Sequence, residues 1–565
     1  MKLNKLFIAG GVLAASLSLG SCIGDLDLTP TDPNSISSGM FSEDPEGYMR
    51  QVMADVYLNV ATYGYGTDAN GSNILGSIDG GMSTFQRAIF NLEVVPSDEA
   101  NWQPTADAIP QALSYGEVAA NETFILGSYQ RLMVGSTLCN QFIQTDFYLK
   151  TPEQEALREE FVRQAKILRS GMYFYLVSDF GNVPYNDENV LVGDVAPQLS
   201  TDFATGRRLV TENVVNTLEE IVAWYKANDP NNNPPYGYVG LDVAEALLVK
   251  FYLNYEVFTG TAAWDKCLSH AQALIQRRGH GGFQGSGLAM NYHQCFSYNN
   301  RSAADNEIIW RIPQVDITND PSGNGIKSYA NGGFMVNGFI GDTTADSPFQ
   351  CKQADYNSAN GWKCMSARRQ FVEVFEWDDE YAYSPDMRTA WWKTAADGFD
   401  INNDDLTQPA WGTNGFLPVK FTNWWILDDG SVDRAQSPAA VDPLGIDYGM
   451  IRLAEIYLSA AEAALNGAGS AADALTYVNY IRERAGMPAY TSINLAELQN
   501  ERQRELYTEC TRRTDLIRYG KWISGYTWNW KTRSKTGRDF PAYFTVYPLP
   551  TTVVTINGYV QNPGY

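Results

Sequence analysis

The chain has 565 residues, 44% hydrophobic and only 19% charged, ample material for a large core, and this composition excludes intrinsic disorder. Acidic residues outnumber basic ones 65 to 41, and a net charge of −24 repels phosphate backbones, so nucleic acid is excluded as a partner. Aromatics form 13% of the chain, enough for binding surfaces as well as core.

Met1 to Lys5 gives a basic start, Leu6 to Leu19 an apolar run, and Leu19-Gly20-Ser21-Cys22 a small-residue cleavage site ending in cysteine. A spanning helix needs about 20 apolar residues, so this shorter run reads as a signal peptide, residues 1–21. Leu-Gly-Ser-Cys is similar to a bacterial lipobox, in which Cys22 is lipidated; a plain secretory signal with an incidental cysteine is the alternative. Residues 22–40, rich in Pro, Ser and Asp, form a tether. No later stretch is apolar for the length of a membrane span, which leaves the lipid as the only anchor.

Phe41 to Ala61 reads as the first helix, Tyr63 to Gly81 as a Gly/Asn/Tyr-rich loop, and Phe85 to Val95 as a short apolar run. Glu117 to Leu149 and Glu155 to Phe180 have the spacing of long amphipathic helices. Gly206 to Ala227, Asp242 to Phe258 and Trp264 to Gln276 continue the pattern. From Gly279 to residue 446 helical periodicity is scarce, and Gly, Asn, Asp and aromatics dominate, with one helix expected at Ser366 to Trp377. Loops carried on a rigid helical scaffold are where binding groups usually sit.

From Asp447 the pattern returns. Ile451, Ala454, Leu458, Ala461 and Leu465 make one helical stripe, broken by Asn466, Gly467 and Gly469. Ala474, Leu475, Val478 and Ile481 make the inner face of a second helix, with Arg482 to Arg484 largely outward. Hairpins thus recur near 155, 210, 245 and 450, as in a solenoid of tetratricopeptide type. The expected fold is mostly α: a helical region at 41–278, a loop-rich insertion at 279–446, and a helical hairpin with closing segment at 447–565. Residues 22–565 are expected to form one body.

Catalytic chemistry finds little support. There is no G-x-S-x-G, H-E-x-x-H or phosphate loop, and His270, His280 and His293 offer little general-base capacity. A glycosidase needs only two carboxylates, so a surface glycoside hydrolase stands as the opposing class. The run Asp400 to Leu406 has the flavour of a calcium loop but lacks Gly at its sixth position, so it reads as a solvated turn. No cofactor is expected, and a structural calcium ion has no clear motif. Cys139, Cys267 and Cys510 read as small buried groups, while Cys351 and Cys364 are the candidate disulfide pair. Glu505, Glu509, Arg512, Arg513 and Asp515 read as a structural ion network. The Trp391-Trp392 and Trp424-Trp425 doublets read as packing, because neighbours cannot easily face one ligand.

Four stretches in order then carry a resemblance. IRLAEIYLSAAEA from Ile451, N-x-I-R-x-R-A-G from Asn479 to Gly486, ER..EL..E..RR.DL.RYGK from Glu501 to Lys521, and the closing VYPLPTTVVTINGYVQNPGY resemble the C-terminal half of the SusD (RagB/SusD) family. The family usually has Glu-Gly-x-Arg where this chain has Glu509-Cys510-Thr511-Arg512. The resemblance implies a non-enzymatic glycan-binding lipoprotein of the outer membrane, anchored through Cys22 and working with a TonB-dependent, SusC-like transporter. Asp25 and Asp27 resemble the acidic signal that exports such lipoproteins to the cell surface.

Gly80 to Asn91, the stretch ending at Trp102, Ala108 to Gln111, Ser328-Tyr329 and Asn360-Gly361-Trp362 resemble the ligand contacts of the family's starch-binding founder. The resemblance implies that Arg87 donates to sugar hydroxyls, Asp107 makes a polar contact, and Tyr329 and Trp362 stack. Gln103-Pro104 stands where the founder has a second tryptophan, so one wall of the aromatic arc is either missing or supplied by Trp102, and the exact ligand stays open. A pyranose offers an apolar C–H face to flat aromatics and a rim of hydroxyls to Arg, Asp and Asn. The implied ligand is an α-glucan, starch or maltooligosaccharide, with another glycan as the alternative. Against these readings, Arg87 pairing with Glu93 or Asp98, and Trp102 in the core, are the structural alternatives.

Overall fold

The computed structural model describes residues 43–62, 84–102, 112–191, 194–314, 335–336, 338–340, 353–359, 361, 364–402, 415–440 and 445–565. They are mostly helical. Two compact units separate: one holds 43–54 and Thr145–Glu160, the other the described residues of Asp55–Gln144 and Phe161–Tyr565. In the first, the Tyr48 ring meets Phe147 edge-on at 5.5 Å.

Helix α1 spans Pro45–Ala61, and the apolar run after the Tyr-rich loop is helix α2, Phe85–Glu93, whose residues are all buried. Thr84 caps α2 by accepting from the Arg87 N–H at 3.1 Å. Helix α3, Thr123–Gln144, packs on α2 and starts and ends short of the expected Glu117 to Leu149. Helix α4, Pro152–Tyr175, ends in a π turn at Leu176–Phe180. Gly181 then turns the chain at φ +72°, where a Cβ would fall 2.5 Å from the Phe203 ring.

Helices α5 (Phe203–Asn228), α6 (Leu241–Leu253) and α7 (Trp264–Arg278) pack in succession. Helix α7 then packs directly on α8, Leu453–Ala463, which in turn packs on α9 (Ala471–Arg484) and α10 (Leu495–Leu506). The array is therefore continuous in space across the insertion. Every residue of α8 is buried, as its small Ala454, Ala460, Ala461 and Ala463 permit. Helix α11, Arg512–Arg518, returns to α2.

Two short antiparallel ladders tie the insertion in. Strands β1 (Ala100–Trp102) and β3 (Met365–Ala367) pair with Trp102 opposite Met365. Strands β2 (Ile308–Ile312) and β4 (Tyr448–Arg452) pair with Ile308 opposite Arg452. Two expectations are corrected here. Ile451 lies on β4 rather than on the helix, because β2 claims its backbone; and Ser366 to Trp377 is not a helix, since β3 takes its start and only Arg369–Val372 is helical.

The outward placement of Arg482 and Arg484 is also overturned. Both are buried: Arg484 reaches Glu307 at 2.6 Å, and Arg482 reaches Glu501 at 3.1 Å. They belong to a buried ion network built on the Glu501 to Arg518 motif. Arg452 contacts Glu307 at 2.6 Å, Glu505 at 3.1 Å and Glu509 at 2.6 Å. Arg388 joins Asp386 at 2.6 Å and Glu501 at 2.8 Å, and the Lys420 ammonium lies 2.6 Å from Glu509. Arg502 meets Asp515 at 2.9 Å. Burial alone would raise the Glu505 carboxyl, but Arg484, Arg452 and Arg388 bring it down to about 2.

Cys510 sits in this region at φ +59°, the left-handed conformation that favours glycine. The usual family Gly at this position therefore answers a backbone demand that Cys510 meets at a cost of roughly 1–2 kcal/mol. Cys139, Cys267, Cys295 and Cys510 are buried and free; Cys364 is buried, and Cys351 and its expected pairing lie outside the described residues. No described helix is long and apolar enough to cross a membrane. Asp400 caps its own turn by accepting from the Asn402 N–H at 2.8 Å, and the rest of that acidic run lies outside the described residues.

Removing one partner of a buried ion set strands the others in a medium that solvates them poorly. Arg452→Ala should therefore cost about 3–5 kcal/mol, read as a lowered urea midpoint. Because the folded-state carboxyls of Glu501 and Glu505 are depressed to about 2, their stabilisation is present above their unfolded value of about 4.3 and is lost as pH falls towards 2. Acid titration of the wild type should show that loss, and a flat profile from pH 5 to 2 would contradict it.

Candidate functional site

Helix α2 and strand β1 carry the two described members of the expected site. Arg87 and Trp102 are each 2% exposed. The Arg87 guanidinium lies over the Trp102 ring, 4.4 Å from its centroid, and its Nε donates to Asn91 Oδ1 at 2.8 Å. Arg87 and Asn91 are one turn apart on α2, so the helix itself sets that bond. A cation over an indole face contributes about 0.5–2 kcal/mol according to its desolvation.

The alternative partners of Arg87 are occupied elsewhere. Arg512 grips Asp98 in a two-pronged pair, both contacts at 2.7 Å, and Arg513 lies 3.2 Å from Glu93. These two arginines fasten α2 and the approach to β1 to the C-terminal helices. Strand β1 is held further by Arg368, which donates to the Ala100 carbonyl at 3.2 Å, and by the Ser114 hydroxyl, which accepts from the Trp102 N–H at 2.8 Å.

Described residues from three stretches of the chain meet beside this ladder. The Cys364 N–H donates to the Gly338 carbonyl at 2.7 Å, and the Gln86 amide lies 3.6 Å from Met335 Sδ. In the antiparallel register, Trp102 and Met365 lie opposite one another at the same end of the ladder. Asp107, Tyr329 and Trp362, like Cys22, lie outside the described residues.

Two polar atoms beside the stack have no hydrogen-bond partner among the described residues: Trp102 Nε1 and Asn91 Nδ2. Both are donors, and buried donors are nearly always satisfied. The site thus holds a buried cation–aromatic stack flanked by two N–H groups that are themselves buried and have no partner among the described residues. Sequence reasoning did not single out Asn91, although its spacing from Arg87 was readable. It also missed β1 and β3, each only three residues long.

Neighbouring carboxyls differ sharply. Burial would raise Asp98, but Arg512 pulls it below the usual carboxylate range. Glu99 has no such partner in direct contact among the described residues; burial pushes its carboxyl up to about 8, although its Oε2 accepts the Thr508 N–H at 2.9 Å.

A family model described as the SusD family matches residues 284–565. The chain is 28% identical to the starch-binding protein SusD of Bacteroides thetaiotaomicron, over 100% of this chain and 99% of that one. Among solved structures, the surface glycan-binding protein A of Bacteroides fluxus superposes with a TM-score of 0.65 at 17% identity, covering 92% of this chain and 99% of the other. A laminarin-binding SusD-like protein superposes with a TM-score of 0.63 at 20% identity, again over 92% and 99%.

A carboxyl raised in the folded state binds its proton more tightly there, so it favours folding at low pH and disfavours it as pH rises from about 4.5 to about 8. Glu99→Gln should remove that slope. Urea midpoints measured across the window should fall with pH more steeply for the wild type than for the variant; parallel profiles would mean that Glu99 does not titrate in this range.

Proposed function

The chain belongs to the SusD family, and on that premise we propose that it is a surface lipoprotein that captures a glycan, favouring an α-glucan such as starch or maltooligosaccharide. The observation that carries this is the Arg87–Trp102 stack with its two unpartnered donors. The buried stack would serve as a rigid backing for the surface on which the sugar rests. Asp107 would accept from the rim, and Tyr329 and Trp362 would take the apolar faces of successive residues.

The α-glucan preference rests on likeness over the whole chain to a starch-binding relative. A β-glucan is the second reading, favoured by the laminarin-binding protein of the same fold. The protein binds without turnover, is held at the outer membrane through lipid on Cys22, and passes its ligand to a TonB-dependent transporter. Stacking on aromatic rings suits such a hand-over, since dispersion contacts are individually weak and release readily.

Trp362→Ala and Tyr329→Ala should each weaken maltoheptaose binding roughly five- to tenfold, since one aromatic contact contributes on the order of 1 kcal/mol. Calorimetry reads this, and the melting temperature should barely move. A sharply lowered melting temperature with undiminished amylopectin retardation would instead assign Trp362 to the core. Prolonged incubation with maltooligosaccharides should release no reducing ends; steady release would favour the hydrolase class. Cys22→Ala should abolish surface labelling of intact cells, and wild-type labelling would refute the anchor.

A further inference from the structure

Between the connection from α5 to α6, the end of α7 and strand β2 lies a cavity of about 1000 Å³. Small-ligand sites run from about 300 to 1,000 Å³, so this one has room for more than one sugar ring. Two exposed rings, Tyr236 and Tyr238, stand on its wall. The Tyr238 ring is backed by Tyr57 and Phe161, with centroids 4.8 and 6.3 Å away. The chain around it is pinned as well: the Tyr57 hydroxyl accepts the Val239 N–H at 3.0 Å, and Asn232 Oδ1 accepts the Leu241 N–H at 3.1 Å. Tyr238 is therefore a ring fixed from behind with 38% of its surface open.

The polar groups of the wall are held just as firmly. Asp447, fully buried, accepts from the Tyr236 hydroxyl and lies 3.1 Å from both Arg301 and Arg311. Asp242 lies 2.9 Å from Arg277 and 2.5 Å from Arg278. These pairs use only part of each guanidinium. Arg277 Nη1, Arg278 Nη2 and Arg301 Nη1 make no hydrogen bond to a described residue, and they belong to side chains that are 25%, 22% and 42% exposed. The four arginines of the wall are matched by four carboxylates, Asp242, Glu245, Asp305 and Asp447. An anion therefore finds its counter-charges already taken, whereas a hydroxyl can accept from a guanidinium and donate to a carboxylate at once.

We propose that this cavity is a second glycan site, in which a neutral oligosaccharide lays the C–H face of one ring on Tyr238 while its hydroxyls accept from Arg277, Arg278 and Arg301 and donate to Asp242 and the exposed Asp305. The choice of a sugar rests on the glycan-binding reading above, but no residue of this cavity belongs to the Arg87–Trp102 stack or to the stretches beside it. The arrangement supplies what a pyranose needs, a flat ring for its apolar face and fixed planar polar groups for its rim. A long glycan held at two such points gains avidity without any new contact at the first.

The test is calorimetric titration of the purified protein with maltoheptaose and with trigalacturonate, in four forms: wild type, Tyr238→Ala, Asp305→Ala and Trp362→Ala. The wild type should bind maltoheptaose at two classes of site. Tyr238→Ala removes the ring and should weaken one class roughly fivefold or more. Asp305→Ala removes one acceptor from an exposed position and should weaken the same class about threefold, with an unchanged melting temperature, so it serves even if Tyr238→Ala fails to fold. Trp362→Ala should weaken only the other class, and adding maltoheptaose to that variant should slow amide exchange over residues 229–240. Cavity variants that titrate like the wild type, with exchange at 229–240 unmoved by the sugar, would overturn the second site and leave the first standing. Cavity variants that lose binding while Trp362→Ala loses none would support the cavity and overturn the loop site. Trigalacturonate bound in place of maltoheptaose would overturn the neutral ligand. A wild type that binds neither would overturn both sites.

Discussion

Everything in the larger unit depends on a set of buried charges that must all be present at once. Taking a carboxylate or guanidinium out of water costs several kcal/mol, and only close, complete pairing offsets it. Glu505 meets that condition with three arginines drawn from three places in the chain, Arg388, Arg452 and Arg484. None of those arginines is near another in sequence, so the network cannot form until the insertion has folded back onto the helices. The motif from Glu501 to Arg518 is thus a specification for tertiary assembly rather than a surface pattern. Its last arginines extend the same logic to the site, because Arg512 and Arg513 hold Asp98 and Glu93 on either side of the turn into β1.

That network also explains where sequence reading succeeded and failed. Long helices were legible because their apolar stripes repeat over several turns, as in Phe203–Asn228 and Trp264–Arg278. The Arg-Glu-Arg of 482–484 was misread because charge normally marks a solvated face, and nothing local distinguishes an arginine that finds Glu307 far upstream in the chain. The short strands were invisible for a different reason. Three residues carry no usable period, and the pairing of Trp102 with Met365 is a contact between distant segments that a single sequence does not display. Phe85 to Glu93 was legible as apolar but not as helix, since a buried helix and a buried strand look alike over nine residues.

The candidate site was legible in part. Arg87 and Trp102 were picked from likeness to a family pattern, with core packing as the rival for each. The geometry joins the two rivals: both side chains are buried, yet they are buried against one another, beside donors that protein groups leave unspent. Burial and binding are compatible when the buried face is a rigid backing for the contact surface. The roles of Asp107, Tyr329 and Trp362 rest on likeness alone, since all three lie outside the described residues.

The doublets carry the same lesson into the rest of the insertion. Treating Trp391-Trp392 as one packing unit assumed that both rings must share a fate, whereas the structure divides them. Trp392 is wedged among Phe371, Phe375 and Tyr507, with centroids 4.9–5.7 Å away, so its backbone is fixed. Its neighbour is then ordered through the backbone as well as through its own ring contacts. A half-exposed aromatic ordinarily loses rotamer freedom when it binds, at about 0.5–1.5 kcal/mol for a side chain immobilised at an interface. Trp391 has much of that freedom removed already, by Trp392 on one side and the His293 and Tyr356 rings on the other. An irregular insertion lacking long helices can therefore still offer a preorganised aromatic surface, because every second ring is an anchor sunk in the core.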